Sequence, residues 1–183
     1  MQKMQMITHP DAIFSDEKIY CFRYTFVAKK PKNFSFYAFG EARYKLYLNG
    51  KLISVGPCKG NASDMYYNSV ETDENLLDGE NTLEAVVLQL KNENHEKTVY
   101  ANLCSVSRSG HLRFALKGKI DTAEGDIDIE TDESWMVCKK EGISFVRDAV
   151  RVSRSMFICS SLWALSPKRV YSFPAMAYLL SAR

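Results

Sequence analysis

The residues of this sequence best suited to bind a ligand are aromatic rings near short polar side chains. Tyr67 and Trp135 carry rings on which the apolar C–H face of a sugar could stack. Asn61 and Asp64 lie in a loop-like segment just before Tyr67 and offer amide and carboxylate groups to sugar hydroxyls. Because Tyr66 and Tyr67 are neighbours in a strand-like segment, one ring faces inward and the other outward. These four residues, Asn61, Asp64, Tyr67 and Trp135, form the predicted carbohydrate-binding site.

The same rings also have a structural interpretation, in which they fill the core between two sheets. The chain has 10 Tyr, 10 Phe and 2 Trp, and flat rings pack well on pleated sheets. For Trp135 the core interpretation is the stronger of the two, because so large a ring is usually mostly buried. Both interpretations stay open at this level.

The carboxylates do not indicate a catalytic pair. Asp126, Asp128 and Glu130 alternate with isoleucines, which predicts one solvated strand face. Calcium binding by this acidic run is a lesser alternative, since its spacing matches no known calcium loop. The chain contains no glycine-rich phosphate loop, no H-E-x-x-H helix and no G-x-S-x-G elbow, and its three histidines lie in polar or loop contexts. We therefore expect no enzyme activity and no catalytic residues.

Cysteine usage bears on metal binding and location. The five cysteines are odd in number, widely spaced and without a C-x-x-C pair, at Cys21, Cys58, Cys104, Cys138 and Cys159. We expect neither a disulfide framework nor a metal site, and no cofactor. The N-terminus lacks the apolar core of a signal peptide, so a soluble, cytoplasmic protein is expected.

Charge and hydropathy narrow the partners further. A net charge of +2 gives no electrostatic reason to expect nucleic-acid binding, which usually requires a strongly basic face. No apolar run is long enough to span a bilayer, so no membrane association is expected.

Residues 43–55 contain the clearest structural signal, a β-hairpin. Tyr44, Leu46 and Leu48 alternate with polar or amphipathic residues, as in a half-buried strand. Asn49-Gly50 supplies the two positive-φ residues of a type I′ turn, and the strand returns to Gly56-Pro57.

Other short strand-like segments are separated by turn residues, which predicts an all-β, antiparallel sandwich or barrel. The run 82–90 has apolar residues on both faces and is expected to lie centrally. No amphipathic helix is apparent before residue 145. The further predicted strands are 19–27, 34–39, 66–70, 101–106, 111–116, 126–130 and 134–138.

Residues 145–183 differ in composition from the rest, with many arginines and only one acidic residue, Asp148. The sequence therefore predicts a β-sandwich domain at 1–144 and an irregular C-terminal tail at 145–183. An exposed apolar tail favours aggregation, so we expect it to pack on the sandwich or on another chain, as a partner domain or a second copy.

An ordered series of motifs resembles the N-terminal β-sandwich of bacterial alpha-L-rhamnosidases. It begins with F-R-x-x-F at 22–26, followed by the Y-L-N-G hairpin at 47–50 and by Gly56-Pro57. The aromatic pair at 66–67, the L-x-x-G-E-N-like turn at 77–81 and T-D-x-S-W at 131–135 follow in the same order. The similarity covers roughly residues 19–140.

The resemblance implies a galactose-binding-like jelly-roll fold and an accessory role without catalysis, because in such enzymes a separate helical barrel carries out hydrolysis. The function expected is that of a carbohydrate-binding-like module of a rhamnosidase-type glycoside hydrolase. The alternative is a structural or interaction module that docks another domain, or itself, without binding sugar.

Overall fold

The structure, a computed structural model, describes residues 4–10, 12, 18–58, 65–89 and 112–140, and the backbone of three short strands nearer the C-terminus. The strands are β1 (Ile7–Thr8), β2 (Lys18–Ala28), β3 (Pro31–Gly40), β4 (Arg43–Leu48), β5 (Lys51–Gly56), β6 (Met65–Thr72), β7 (Gly79–Gln89), β8 (Phe114–Thr122), β9 (Gly125–Glu130), β10 (Met136–Lys140), β11 (Lys168–Arg169), β12 (Tyr171–Ser172) and β13 (Leu180–Ala182).

These strands form two sheets that pack face to face. Sheet A has seven strands in the order β12-β1-β8-β3-β6-β13, with β9 paired to β8. Sheet B has six strands in the order β11-β10-β2-β7-β4-β5. All pairs are antiparallel except β13 with β6. The predicted all-β antiparallel sandwich is thus confirmed.

The predicted hairpin is present, and its turn has the expected geometry. Asn49 has φ 50° and Gly50 has φ 78°, both in the left-handed region that a type I′ turn requires. The strand predicted at 82–90 is β7, which lies between β2 and β4 in the middle of sheet B. Its central position is therefore confirmed.

One predicted strand is shifted in the structure, and another lies outside the residues that the structure describes. The strand expected at 111–116 is instead β8, Phe114–Thr122, because the polar residues beyond Leu116 pair with β3 on one side and β9 on the other. Polar residues hide a strand from a hydrophobicity pattern when only one of its faces is buried. The strand predicted at 101–106 lies outside the described residues.

The core lies between the sheets and is built around Phe114 of sheet A. Its ring lies 5.9 Å from that of Phe22 and 5.6 Å from that of Tyr44, both of sheet B. The ring of Trp135 lies 6.0 Å from the same phenylalanine. All four residues are at most 2% exposed. Ring pairs at such distances add directional attraction to the burial of apolar area.

Tyr44 shows why a glycine ends the hairpin. A Cβ placed on Gly56 would lie 2.0 Å from Cε1 of the Tyr44 ring, well inside van der Waals contact. The phenol oxygen of Tyr44 donates to the Ala38 carbonyl at 3.3 Å and accepts from Nδ2 of Asn68 at 2.8 Å. The absence of a side chain at Gly56 therefore lets this ring reach its partners on sheet A.

Two asparagines hold together the turns at one end of the sandwich. The fully buried Asn81 accepts from the Leu77 amide at 2.8 Å and from Nδ2 of Asn49 at 2.8 Å. Its Nδ2 donates to the carbonyls of Leu77 at 2.8 Å and Gly79 at 2.9 Å. Asn49 in turn accepts from the Thr82 amide at 2.8 Å. The L-x-x-G-E-N-like turn is therefore joined to the hairpin by side-chain hydrogen bonds.

The segment 131–135 carries the chain from sheet A to sheet B. The Thr131 hydroxyl accepts from the Leu116 amide at 3.1 Å and donates to the Gln5 carbonyl. Asp132 accepts from the Ser134 amide at 2.8 Å, which forms a local turn. The Trp135 indole Nε1–H donates to the Glu130 carbonyl at 3.1 Å. The T-D-x-S-W motif thus has a structural role here.

The short C-terminal strands pair with the sandwich. β11 extends sheet B beside β10, with Met136 opposite Arg169. β12 pairs with β1, and β13 runs parallel to β6. The division of the chain into 1–144 and 145–183 stays a prediction.

We expect Asn81→Ala to lower the free energy of unfolding by about 3 kcal/mol, because it leaves buried backbone groups of the turn without partners. Chemical denaturation followed by circular dichroism measures the change. Asn33→Ala is the control, since its amide bonds only to exposed partners on the outer face of sheet A and should cost much less. Equal effects of the two substitutions would contradict this role of Asn81.

Tyr44 also gives a pH dependence of stability. Burial raises the pKa of its phenol above the usual value, with smaller opposing effects from Ser54 and Asn68. The folded state holds the phenol proton more tightly than the unfolded state does. The protonated phenol therefore contributes fully to the free energy of unfolding below about pH 10, and this contribution is lost as the pH rises further. We expect Tyr44→Phe to lose about 1 kcal/mol at neutral pH and to show a shallower alkaline loss of stability. Denaturation of both proteins between pH 9 and 12 measures how the free energy of unfolding changes with pH. An equally steep fall in the wild type and in Tyr44→Phe would contradict this assignment.

Candidate functional site

The structure separates the two predicted site residues that it describes. Tyr67 is 6% exposed and lies on the outer face of sheet A, whereas Trp135 is fully buried between the sheets. The other two predicted residues, Asn61 and Asp64, lie outside the described residues. Tyr67 and Trp135 therefore belong to different clusters and do not form one surface.

Trp135 has a core environment on every side that the structure describes. Its ring stacks on that of Tyr24 at 5.3 Å with an interplanar angle of 16°. Burial, and to a lesser degree the negative charge of Asp132, raises the pKa of the Tyr24 phenol. With its ring fully buried, Trp135 presents no face to a ligand on the protein surface.

Tyr67 belongs to a small apolar cluster on the outer face of sheet A. Its other members come from the N-terminal segment, from β3 and from β8: Met4, Met6, Phe39 and Ala115. All five residues of the cluster are at most 8% exposed. Tyr37 packs against this cluster and is only half-buried. The cluster thus gives Tyr37 a fixed apolar support.

The half-buried Tyr37 is the residue that the sequence-based prediction of the site missed. Its ring meets that of Tyr67 edge to face, with centroids 4.9 Å apart and an interplanar angle of 71°. Its register neighbours are Lys117 on β8 and Ser69 on β6, so both point to the same outer face. The alternation of β3, with Phe34 and Phe36 in the core, was the available signal that Tyr37 faces outward.

Polar side chains form a band on the same face, beside the ring. Nζ of Lys117 lies 3.2 Å from a carboxylate oxygen of Glu130 on β9. Nδ2 of Asn33 donates to Glu71 at 2.7 Å. The hydrogen bond and charge of Asp126 raise the pKa of the exposed Lys119.

The half-buried Tyr37 ring therefore lies next to both hydrogen-bond donors and hydrogen-bond acceptors. We call the following five residues the Tyr37 surface: Tyr37, Tyr67, Ser69, Lys117 and Glu130.

This arrangement suits a ligand that has an apolar face and several hydroxyl groups. The carboxylates of Asp126 and Glu130 are paired with lysines, and Ile129 of the same strand is buried in the core. The predicted solvated face of β9 is thus confirmed.

Among residues that the structure describes, no group of three or more His, Cys, Asp or Glu side chains is arranged to hold a metal ion. The same part of the chain contains no helix of the length and apolarity needed to cross a membrane.

Comparisons with known proteins identify the fold. Neither a protein-family model nor a curated protein sequence matches the chain. An alpha-L-rhamnosidase from Aspergillus terreus matches over 74% of this chain with TM-score 0.60 and 13% identity. An alpha-L-rhamnosidase from Dictyoglumus thermophilum matches over 74% with TM-score 0.55 and 20% identity. A lectin from Pleurotus ostreatus, solved in complex with GalNAc, matches over 73% with TM-score 0.53 and 14% identity.

The lengths of these proteins show what the match covers. The aligned part is 16% of each of the two rhamnosidase chains and 35% of the lectin chain. The resemblance to a rhamnosidase sandwich, first indicated by the motifs, is confirmed at the level of the fold. The chain has the β-sandwich fold found in a small part of alpha-L-rhamnosidases and in this lectin.

Proposed function

We propose that this protein is a non-catalytic, carbohydrate-binding accessory module of the rhamnosidase type. The observation that carries the proposal is the Tyr37 ring, which contacts Tyr67 and lies between Lys117 and Ser69 on the outer face of sheet A. Asn61 and Asp64 directly precede β6 in the sequence and are proposed to supply further hydrogen bonds.

The chemistry of the surface matches that of a sugar ring. The apolar C–H face of a pyranose would lie on the exposed side of Tyr37, and its hydroxyls would reach Lys117, Glu130 and Ser69. Because contact with the Tyr67 ring already restrains the Tyr37 ring, little side-chain entropy would be lost on binding. Both the rhamnosidases and the GalNAc-bound lectin support a sugar as the ligand class, through the shared fold.

The same surface argues against hydrolysis by this module. A glycosidase needs two carboxyl groups facing one glycosidic bond, one of them with a raised pKa. Glu130 and Asp126 point outward on a solvated strand, and each forms an ion pair with a lysine, Lys117 and Lys119 respectively. The match to a small part of each rhamnosidase is in keeping with an accessory role.

An interaction module that binds no sugar is the second candidate, and a specific patch favours it. Leu52 and Val55 on the edge strand β5 are 52% and 56% exposed. Exposed apolar residues on the edge strand of a sheet commonly mark a contact with another chain or domain. Under this alternative the partner would be a neighbouring domain or a second copy, joined at β5 or through the C-terminal tail.

We expect calorimetric titration with L-rhamnose, D-galactose and GalNAc to show saturable binding of at least one sugar at millimolar concentration or tighter. Tyr37→Ala should weaken it at least tenfold, because it removes the ring on which the sugar lies. Tyr47→Ala is the matched control, since Tyr47 is a half-buried tyrosine on sheet B. Circular dichroism verifies that both variants fold.

The outcomes separate the two candidates. No binding of any of these sugars, together with dimers in light scattering that Leu52→Lys abolishes, would replace the proposal by the interaction module. Equal loss of affinity in the two tyrosine variants would refute the Tyr37 surface as the site. Turnover of an aryl alpha-L-rhamnoside by the purified chain would refute the non-catalytic assignment.

A further inference from the structure

Two cysteines lie directly opposite each other on neighbouring strands of sheet B. In the antiparallel pair β2–β10, Cys21 is the register partner of Cys138. Both are thiols in the structure. They stand 117 positions apart in the sequence, so nothing in their spacing suggested the pairing.

The alternation of the strands places both side chains on one face. Phe22 and Val137, the next register pair, are buried in the core between the sheets. Because successive residues of a strand point to opposite faces, Cys21 and Cys138 both point away from that core, to the outer face of sheet B.

The geometry of an antiparallel pair suits a disulfide. Directly opposite residues have Cα atoms about 4.5 to 5.5 Å apart. A disulfide accepts Cα separations of roughly 4.4 to 6.8 Å. The bond therefore needs rotation of the two side chains and little movement of the strands.

We propose that Cys21 and Cys138 form a reversible disulfide when the protein meets a peroxide. Hydrogen peroxide oxidises one thiol to a sulfenic acid and releases one water. The second thiol then attacks that sulfur, the S–S bond forms, and a second water leaves. Two thiols and one peroxide thus give one disulfide and two waters.

The position of the pair determines what the bond does. Cys21 is 1% exposed and Cys138 is 5% exposed, so a molecule as small as hydrogen peroxide reaches them more readily than a bulky disulfide reagent does. The bond would fix β10, which follows the 131–135 crossover, to the long central strand β2. The cytoplasmic location expected from the sequence stays a proposal, and it would keep the pair reduced at rest.

The test treats the whole reduced chain with hydrogen peroxide, blocks the remaining thiols, and maps the peptides by mass spectrometry. We expect one cross-linked species joining Cys21 to Cys138 that dithiothreitol reverses. Because the bond closes a long loop, we also expect the midpoint of thermal unfolding to rise by about 5 °C or more on oxidation.

Variants make the test specific. Cys58→Ser should keep both the cross-link and the thermal shift, because Cys58 follows β5, three strands away from β2 in sheet B. Cys21→Ala should abolish both. Absence of the cross-link in the oxidised wild-type chain, or bridges mainly to Cys58, Cys104 or Cys159, would overturn the proposal. This peptide map does not depend on the folding of any variant, nor on sugar binding.

Discussion

The packing of Phe114 against rings of the opposite sheet is the contact on which this structure depends. Phe114 belongs to sheet A and meets Phe22 and Tyr44 of sheet B. Once these rings face inward, the alternation of side chains along each strand and the register between neighbouring strands determine which face all the remaining residues point to. Tyr37 consequently faces outward on β3, and Cys21 faces outward on β2. The proposed binding surface and the cysteine pair both follow from the same packing.

The motifs that resemble alpha-L-rhamnosidases turn out to stabilise the fold. The asparagine of the N-G turn and that of the G-E-N turn hydrogen-bond to each other, at Asn49 and Asn81. Gly56 makes room for the Tyr44 ring, and the 131–135 segment carries the chain between the sheets. Such motifs identify an architecture that different proteins share, while ligand binding depends on residues elsewhere on the surface. Rhamnosidases and a lectin share the fold of this chain at 13 to 20% identity.

The sequence predicted the fold much better than the site. Strand periodicity and the Asn49-Gly50 turn are local signals, and the structure confirms both. A binding surface depends on which strands are neighbours, and that information is not local. Tyr37 became a candidate only when the β3 register placed it between Lys117 and Ser69. The ring of Trp135 has the right chemistry, but the crossover turns it into the core. Cys21 and Cys138 likewise meet only through long-range strand pairing.

The space between the sheets is a closed aromatic core, and we propose that sugar binds on the outer face of sheet A. An NMR titration of the whole chain with methyl alpha-L-rhamnoside and methyl beta-D-galactoside distinguishes the two locations. We expect chemical-shift changes at Tyr37, Ser69 and Lys117, with the indole N–H signal of Trp135 unchanged. A sugar-dependent shift of the Trp135 signal, with the Tyr37 surface unaffected, would contradict it.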